Sequence, residues 1–410
     1  MTHRAAQRIL LCCVLLGVPA MGQQRPPTVD TPQVLDVQGG KIRVVTVASG
    51  LVHPWSLTFL PDGRTLLVTE QNGRLRMIRD GILDPTPVWT SPTASGATAP
   101  GGGGGALHFV AIHPQFAENH FVYVSYPKRG ERGFTVAVAR GRLDGGTLRD
   151  VQDIFVADAW ETAGNLAGRL FFGPDNSLYV TVGDRDRLCC IGRDDNSIRI
   201  KAQSLDNHIG KTLRLRDDGS VPPDNPFVGR SDAKPEIFTY GHRNGYGLAI
   251  HPETGALWQA EIGPLGGDEL NILVPGHNYG WPLVSTGRNY TGTQVSDHPW
   301  ERPGMDNPRM FWVPAISPSS MMFYTGDKFP RWKNNLFVGS LTQQQLIRVS
   351  FKQSSPTAQQ EQREGLLVPL HERIRDVIQG PDGYIYVATE HTSGGDAADG
   401  LVLRIEPAQE

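Results

Sequence analysis

Short apolar runs broken by polar turns recur along the chain. Phe59-Leu-Pro-Asp-Gly63 leads into Thr65-Leu-Leu-Val-Thr69, and Phe172-Gly-Pro-Asp-Asn176 leads into Leu178-Tyr-Val-Thr-Val182. Ile250-His-Pro-Glu-Thr-Gly255 precedes Ala256-Leu-Trp258, and Gln379-Gly-Pro-Asp-Gly383 precedes Tyr384-Ile-Tyr-Val-Ala388. Two weaker copies are Ile112-His-Pro-Gln-Phe116 before Phe121-Val-Tyr-Val124, and Lys333-Asn-Asn335 before Leu336-Phe-Val338. Each unit ends one strand, turns on Pro, Asp, Gly or Asn, and opens a second strand rich in β-branched and aromatic residues. Each therefore predicts a β-hairpin. Successive copies lie roughly 45 to 80 residues apart, which leaves room for about four strands each, the dimension of a propeller blade. The pattern predicts an all-β fold, a six-bladed β-propeller, with the longer intervals carried as loops on one face. A β-sandwich is the alternative, but its strands need no turn signature repeated at this period.

Composition agrees with many turns. Gly 47 and Pro 31 make up about a fifth of the 410 residues, against roughly an eighth on average. A net charge of −3 and an apolar fraction of 39% give no sign of a nucleic-acid partner or an acidic disordered tail, and leave small uncharged partners open. At the start of the chain, Arg4 and Arg8 precede the apolar run Ile9 to Val18, and small residues follow at Ala20 and Gly22. This predicts a signal peptide over residues 1–22, a short extension over 23–40 and the propeller over 41–408. The run is too short for a mature bilayer anchor, so the mature chain is expected to be periplasmic or secreted, without a membrane span. Cys12 and Cys13 would leave with the leader. Cys189 and Cys190 are adjacent and cannot staple distant loops; they read as two thiols or a strained vicinal disulfide. Asn289-Tyr-Thr291 fits a glycosylation pattern, too short to carry an inference.

The most distinctive stretches are Tyr240-Gly-His-Arg-Asn-Gly-Tyr-Gly-Leu248, Ala260-Glu-Ile-Gly-Pro-Leu-Gly-Gly-Asp-Glu-Leu-Asn271 and Gly276-His-Asn-Tyr-Gly-Trp-Pro282. They occur in order with His53-Pro-Trp-Ser-Leu57, Thr69-Glu-Gln-Asn-Gly-Arg74, Gly168-Arg-Leu-Phe-Phe-Gly-Pro-Asp175, Gly183-Asp-Arg185, Gly210-Lys-Thr-Leu-Arg-Leu215 and Pro318-Ser-Ser-Met-Met-Phe-Tyr324. Together these resemble the glucose/sorbosone dehydrogenase family over nearly the whole mature chain. The resemblance implies an exported oxidoreductase acting on an aldose or related alcohol, with pyrroloquinoline quinone (PQQ), calcium and an electron acceptor that the sequence does not identify.

PQQ carries carboxylates and gathers negative charge when reduced, so it calls for cations, and arginine offers a fixed fork of donors. The resemblance places cofactor contacts at Arg243 and Asn244, and at Arg373 and Arg375. The latter two occupy alternate strand positions and so point the same way; salt bridges between blades are the other reading of both pairs. Calcium prefers oxygen ligands, including carbonyls, and the resemblance assigns those of Gly263 and Pro264 to the cofactor's calcium. Glu269 and Tyr279 match a second, structural calcium in some relatives, with a solvated turn at Asp268 and Glu269 as the competing reading.

The departures bear directly on activity. Relatives carry a proton-abstracting histidine where this chain has Asn165, and a neutral amide cannot take that proton. Losing a positioned base costs about 10² to 10⁴ in rate. An expected glutamine falls within Gly101 to Gly105, an expected lysine reads Thr342 and an expected threonine reads Ala315. A substitute base is sought first at His108, whose ordinary pKa of about 6.5 suits the task, although a histidine within Leu107-His-Phe-Val110 also reads as a hydrogen-bonded core residue. Glu161 and Asp184 are further candidates, and His242 reads as support for Arg243. Three functions stay open: the quinoprotein dehydrogenase; a catalytically decayed propeller acting as a carbohydrate-binding or interaction module; and a calcium-dependent hydrolase or lactonase, for which no convergent carboxylates can be nominated.

Overall fold

The computed structural model describes residues 32–94, 105–187, 196–353, 359–391 and 397–408. Six antiparallel sheets follow one another along the chain. Blade 1 comprises Pro54–Phe59, Thr65–Glu70, Arg74–Arg79 and Ile82–Leu83, with Trp89–Thr90 also paired to its third strand. Blade 2 comprises Val110–Ile112, Phe121–Gly130, Gly133–Asp144 and Thr147–Val156; blade 3 comprises Ala167–Phe172, Leu178–Val182, Lys211–Leu215 and Ile237–Tyr240. Blade 4 runs through Gly245–Ile250, Leu257–Glu261, Asp268–Leu273 and Met310–Trp312, and blade 5 through Pro318–Phe323, Leu336–Ser340, Gln345–Gln353 and Gln359–Leu366. Blade 6 takes Arg373–Gln379, Ile385–Glu390 and Gly400–Pro407 from the C-terminal end of the chain, and Gly40–Leu51 and Gln33–Val37 from the N-terminal end. The first strands of neighbouring blades pack against one another in a closed ring. This is a six-bladed β-propeller.

Closure comes from pairing the two ends of the chain. Gly40–Leu51 runs antiparallel to Gly400–Pro407, from Ile42 opposite Pro407 to Leu51 opposite Gly400, which leaves no open seam between first and last blades. Among the described residues, regular structure therefore begins at Gln33, inside the stretch read from sequence as an extension. The leader and Cys189–Cys190 lie outside the described residues.

All six repeated turns fall between the first and second strands of a blade. In blade 1, Asp62 Oδ1 accepts the backbone N–H groups of Arg64 and Thr65 at 3.0 and 2.9 Å, while Gly63 supplies the positive φ of 69°. These are the reasons a Pro-Asp-Gly sequence turns here. The second strands of blades 1, 3, 4, 5 and 6 are buried at every position, so they read as continuous apolar runs rather than alternating ones. Each fully buried Leu or Val contributes about 1.5–3 kcal/mol.

A hydroxyl repeated near the end of the second strand ties successive blades together. Thr69, Ser125 and Thr181 accept the backbone N–H groups of Ser56, Phe109 and Arg169 in their own blades. Their hydroxyls donate to the carbonyls of His108, Gly168 and Gly245 at the start of the next blade. Asp376 of blade 6 accepts Leu57 N–H of blade 1 at 2.9 Å and Arg169 of blade 3 at 3.0 Å. These bonds hold the N-terminal ends of the first strands in a fixed frame, and the site lies at those ends.

Candidate functional site

A cavity of about 260 Å³ opens where the first strands begin. Trp55 and Gln71 come to it from blade 1, Asn165 from the approach to blade 3, Arg243, Asn244 and Tyr246 from blade 4, Ser317 and Thr342 from blade 5, and Arg373 and Arg375 from blade 6. Tyr290 reaches it from the loop between the third and fourth strands of blade 4. Three guanidinium groups thus converge on one small space. Among the described residues lining it there is no Asp, Glu or His.

Arg243 is buried, and its backbone N–H donates to Glu261 Oε2 at 2.7 Å. Its Nη1 donates to the carbonyls of Ile262 and Gly263 at 2.9 and 2.8 Å, and Asp186 lies 3.4 Å from Nη2. Burial opposes its charge, but Asp184, with help from Asp186 and Asp268, holds the guanidinium pKa above its ordinary value. His242 supports the segment from behind, pairing with Glu261 at 2.9 Å and Thr239 at 2.8 Å and stacking on Tyr279.

From blade 6, Arg375 donates to Glu390 and lies 4.3 Å from the centre of the Trp55 ring. Arg373 lies 3.3 Å from the same carboxylate. Burial, and then the neighbouring Arg375, push Arg373 below its ordinary pKa. Burial disfavours charge on Glu390 as well, yet Arg375 and Arg373 outweigh it and hold the carboxyl below its usual range. Both ion pairs join neighbouring strands within blade 6 rather than linking blades, as the competing reading had it, and both arginines line the cavity.

The polar atoms left over in this cavity point to what it accepts. Arg243 Nε, Arg373 Nε and Asn244 Oδ1 are buried without hydrogen-bond partners. Unsatisfied donors beside convergent positive charge fit an anionic, hydrogen-bonding ligand.

Asn165 lines the cavity and donates its amide to Asp184 Oδ1 at 2.9 Å. Asp184 is fully buried, and its other oxygen accepts Trp281 Nε1 at 2.8 Å. His108 is not among the lining residues. It is fully buried, with Nδ1 3.1 Å from the Ala167 carbonyl and its ring stacked on Trp55. The structure thus puts it behind Trp55 in the core, the hydrogen-bonded core reading of this histidine, and not among the cavity's lining residues. Glu161 faces Lys201 and Arg187 and does not line the cavity.

At the corner assigned to calcium, the Gly263 carbonyl accepts Arg243 and the Gly263 N–H donates to Asp268 Oδ1 at 2.7 Å. Asp268 Oδ2 accepts the N–H groups of Ile316 and Ser317, so this carboxylate shapes the corner. Asn271 donates to both Glu269 and Glu261. The Tyr279 hydroxyl donates to the Ile272 carbonyl and accepts Val274 N–H, which leaves only its backbone carbonyl for a metal. Among the described residues, no group of three His, Cys, Asp or Glu is placed to hold a metal ion.

The sequence reading missed Trp55, Gln71, Tyr246 and Tyr290. Tyr246 and Gln71 stood within the diagnostic stretches; Tyr290 stood within the glycosylation pattern. Its neighbour Asn289 is buried and committed to Arg199, Thr293 and Gln294. Of the departures, Thr342 lines the cavity and donates to the Ala315 carbonyl at 3.1 Å. A glutamine does face the cavity, but it is Gln71 of blade 1. Its Cγ lies 2.6 Å from where a Cβ on Gly105 would stand, so a side chain at 105 would collide with it.

A six-bladed propeller with a cation-lined pocket at the N-terminal ends of its first strands is the scaffold of a small-molecule site. The sequence pattern of the Glucose / Sorbosone dehydrogenase family matches residues 51–402, and the chain belongs to that family. It is 37% identical over 358 residues to aldose sugar dehydrogenase YliI of Escherichia coli K12, covering 86% of this chain and 91% of that one. The crystal structure of the soluble aldose sugar dehydrogenase from Escherichia coli in its apo-form superposes with a TM-score of 0.77 at 34% identity, covering 90% of this chain and 100% of that one. The PQQ-bound form of the aldose sugar dehydrogenase of Streptomyces coelicolor superposes with a TM-score of 0.67 at 26% identity, covering 92% and 99%. Among the described residues no helix is long and apolar enough to cross a membrane.

Proposed function

We propose that the protein is an exported quinoprotein that oxidises an aldose or related alcohol with PQQ and calcium. The observation that carries this reading is the convergence of Arg243, Arg373 and Arg375 on one cavity, with Arg243 Nε left without a hydrogen-bond partner. Their fixed charges would hold the carboxylates of the group and stabilise the negative charge that develops during reaction. Asn244 Oδ1 would accept a hydrogen bond from the ligand, and Trp55 and Tyr246 would give the cavity its apolar floor. When bound, the quinone supplies a two-electron acceptor. Calcium would be taken up on the free lone pairs of the Gly263 and Pro264 carbonyls, and a second calcium at Glu269 with the Tyr279 carbonyl. Gln71, Asn165 and Tyr290, which also line the cavity, would meet the substrate. Export rests on Arg4, Arg8 and the apolar run that follows them. The substrate's electrons would pass to an acceptor whose identity is open.

Asn165 favours a second reading, in which the propeller binds a carbohydrate or a partner without oxidising it. Titrating calcium-loaded mature protein with PQQ, then assaying reduction of an artificial acceptor over a panel of aldoses and alcohols, separates the two.

A further inference from the structure

We infer that Tyr290 is a specificity-determining residue of this site, whose ring meets the C–H face of a cyclic sugar and so favours cyclic aldoses over open-chain alcohols; this rests on the dehydrogenase reading above. Tyr290 lines the cavity, and its phenol is near enough to bear on the charge of Arg243. Among the described residues lining the cavity, Tyr290 and Thr342 are the exposed ones, so they mark the side on which it meets solvent. Tyr290 is 52% exposed there, whereas Arg243, Asn244, Tyr246 and Arg375 are buried. The groups proposed to hold the quinone are thus enclosed, and this ring is not.

The backbone that carries the ring is tied down on both sides. Gly292 N–H donates to the Asn289 carbonyl at 2.8 Å, which makes Tyr290 and Thr291 the central residues of a tight turn. Asn289 N–H donates to the Thr293 carbonyl at 2.8 Å, and Leu265 and Arg288 exchange backbone hydrogen bonds at 2.9 and 3.1 Å. The Asn289 side chain is buried; it accepts Arg199 Nη1 at 2.6 Å and donates to Thr293 and Gln294. Arg199 is fully buried and pairs with Asp186 at 2.8 Å. A buried arginine therefore fixes the turn, and the turn holds an aromatic side chain in the open, where small polar residues are the usual choice. Leu265, paired to this arm, and Val313, beside Gly266, are exposed as well, so the ring has apolar company. A pyranose offers one face of C–H groups and an edge of hydroxyls, whereas an open-chain alcohol has no such fixed face. The aromatic ring suits the C–H face, and Gln71, Asn165 and Thr342 of the same lining are polar partners for the hydroxyls.

The test compares wild type, Tyr290→Phe and Tyr290→Ala, all calcium-loaded, with melting temperature as the check on folding. Calorimetry reads the affinity for PQQ and then, on protein holding the reduced quinone so that nothing turns over, the affinity for an aldohexose and for its open-chain alditol; kcat and KM for the aldohexose follow. Wild type should bind the aldohexose about tenfold or more tighter than the alditol, and Tyr290→Ala should lose that difference through a weaker aldohexose Kd and a higher KM. Its PQQ affinity and kcat should change by less than about threefold, since the ring is set apart from the arginines. Tyr290→Phe should behave as wild type, because the face of the ring makes the contact. The same preference in Tyr290→Ala as in wild type, or PQQ affinity lost in step with sugar affinity, overturns the role of Tyr290 and leaves the dehydrogenase reading standing. A wild type that takes up no PQQ overturns both.

Discussion

Asn165 donates its side-chain amide to Asp184 at 2.9 Å, across the gap between the approach to blade 3 and the loop after its second strand. The carboxylate is fixed on its other side by Trp281 Nε1. It is therefore set to orient whatever donor stands at position 165. A histidine there would give one ring N–H to Asp184 and turn its other nitrogen towards the cavity. Asn165→His should raise the turnover of the PQQ-loaded protein by about tenfold or more, read as the rate of acceptor reduction at saturating sugar. No rise, with quinone binding intact, would separate position 165 from the chemistry.

Arg375 and Arg243 reach the cavity from blades 6 and 4, the first paired with Glu390 and the second held through its backbone N–H by Glu261. Arg375→Ala and Arg243→Ala should each weaken quinone binding by about 10- to 100-fold, since a hydrogen bond to a charged group contributes about 1.5–3 kcal/mol. Arg243→Ala also frees the Ile262 and Gly263 carbonyls, and Arg375→Ala deprives buried Glu390 of a partner, so the melting temperature should fall in both. Calorimetry and thermal melting separate these effects.

Asp184 gives a pH signature with a definite sign. Burial foremost, with Asp186 adding, raises its pKa from 3.8 to about 6, although Arg243 works the other way. Between about pH 4 and pH 6 the folded chain holds a proton at this group that the unfolded chain has lost. Stability contributed here therefore falls as pH rises through that window, by on the order of 2 kcal/mol. Carboxylates held low, such as Glu390, act in the opposite direction, so the informative quantity is the difference between wild type and Asp184→Asn. Urea unfolding from pH 4 to 7 should show Asp184→Asn losing least, relative to wild type, at the upper end. A constant difference would contradict the assignment.

Thr181 both accepts Arg169 N–H and donates to the Gly245 carbonyl, one residue after Asn244. Thr181→Val keeps the shape and removes both bonds, leaving buried partners unsatisfied, at a cost of about 1–3 kcal/mol. It should lower the urea midpoint and, by loosening the start of blade 4, weaken quinone binding as well. An unchanged midpoint would show that the hydroxyl bridge between blades is dispensable.

The fold was legible because its signal is local and repeated: Asp62, Gly63 and Thr65 make the same turn that Asp382, Gly383 and Tyr384 make later. The arginines were legible because Arg243 sits within a diagnostic stretch and Arg373 and Arg375 occupy alternate positions of one strand. What could not be read was distance between blades. His108 stands three residues after the end of the glycine run and looked close to the pocket, yet its ring stacks on Trp55 in the core. Gln71 fills space left by Gly105 because two loops from different blades meet, which no periodicity encodes. Residues 33–40 lacked a turn signature of their own because they complete a blade begun at the other end of the chain.

The most direct test of the account is calorimetric titration of the calcium-loaded mature protein with PQQ. One site per chain should fill, with affinity lost in Arg375→Ala and on calcium removal. Absence of heat and of any shift in melting temperature at saturating PQQ would contradict the quinoprotein reading and leave a propeller whose cationic pocket serves another anion.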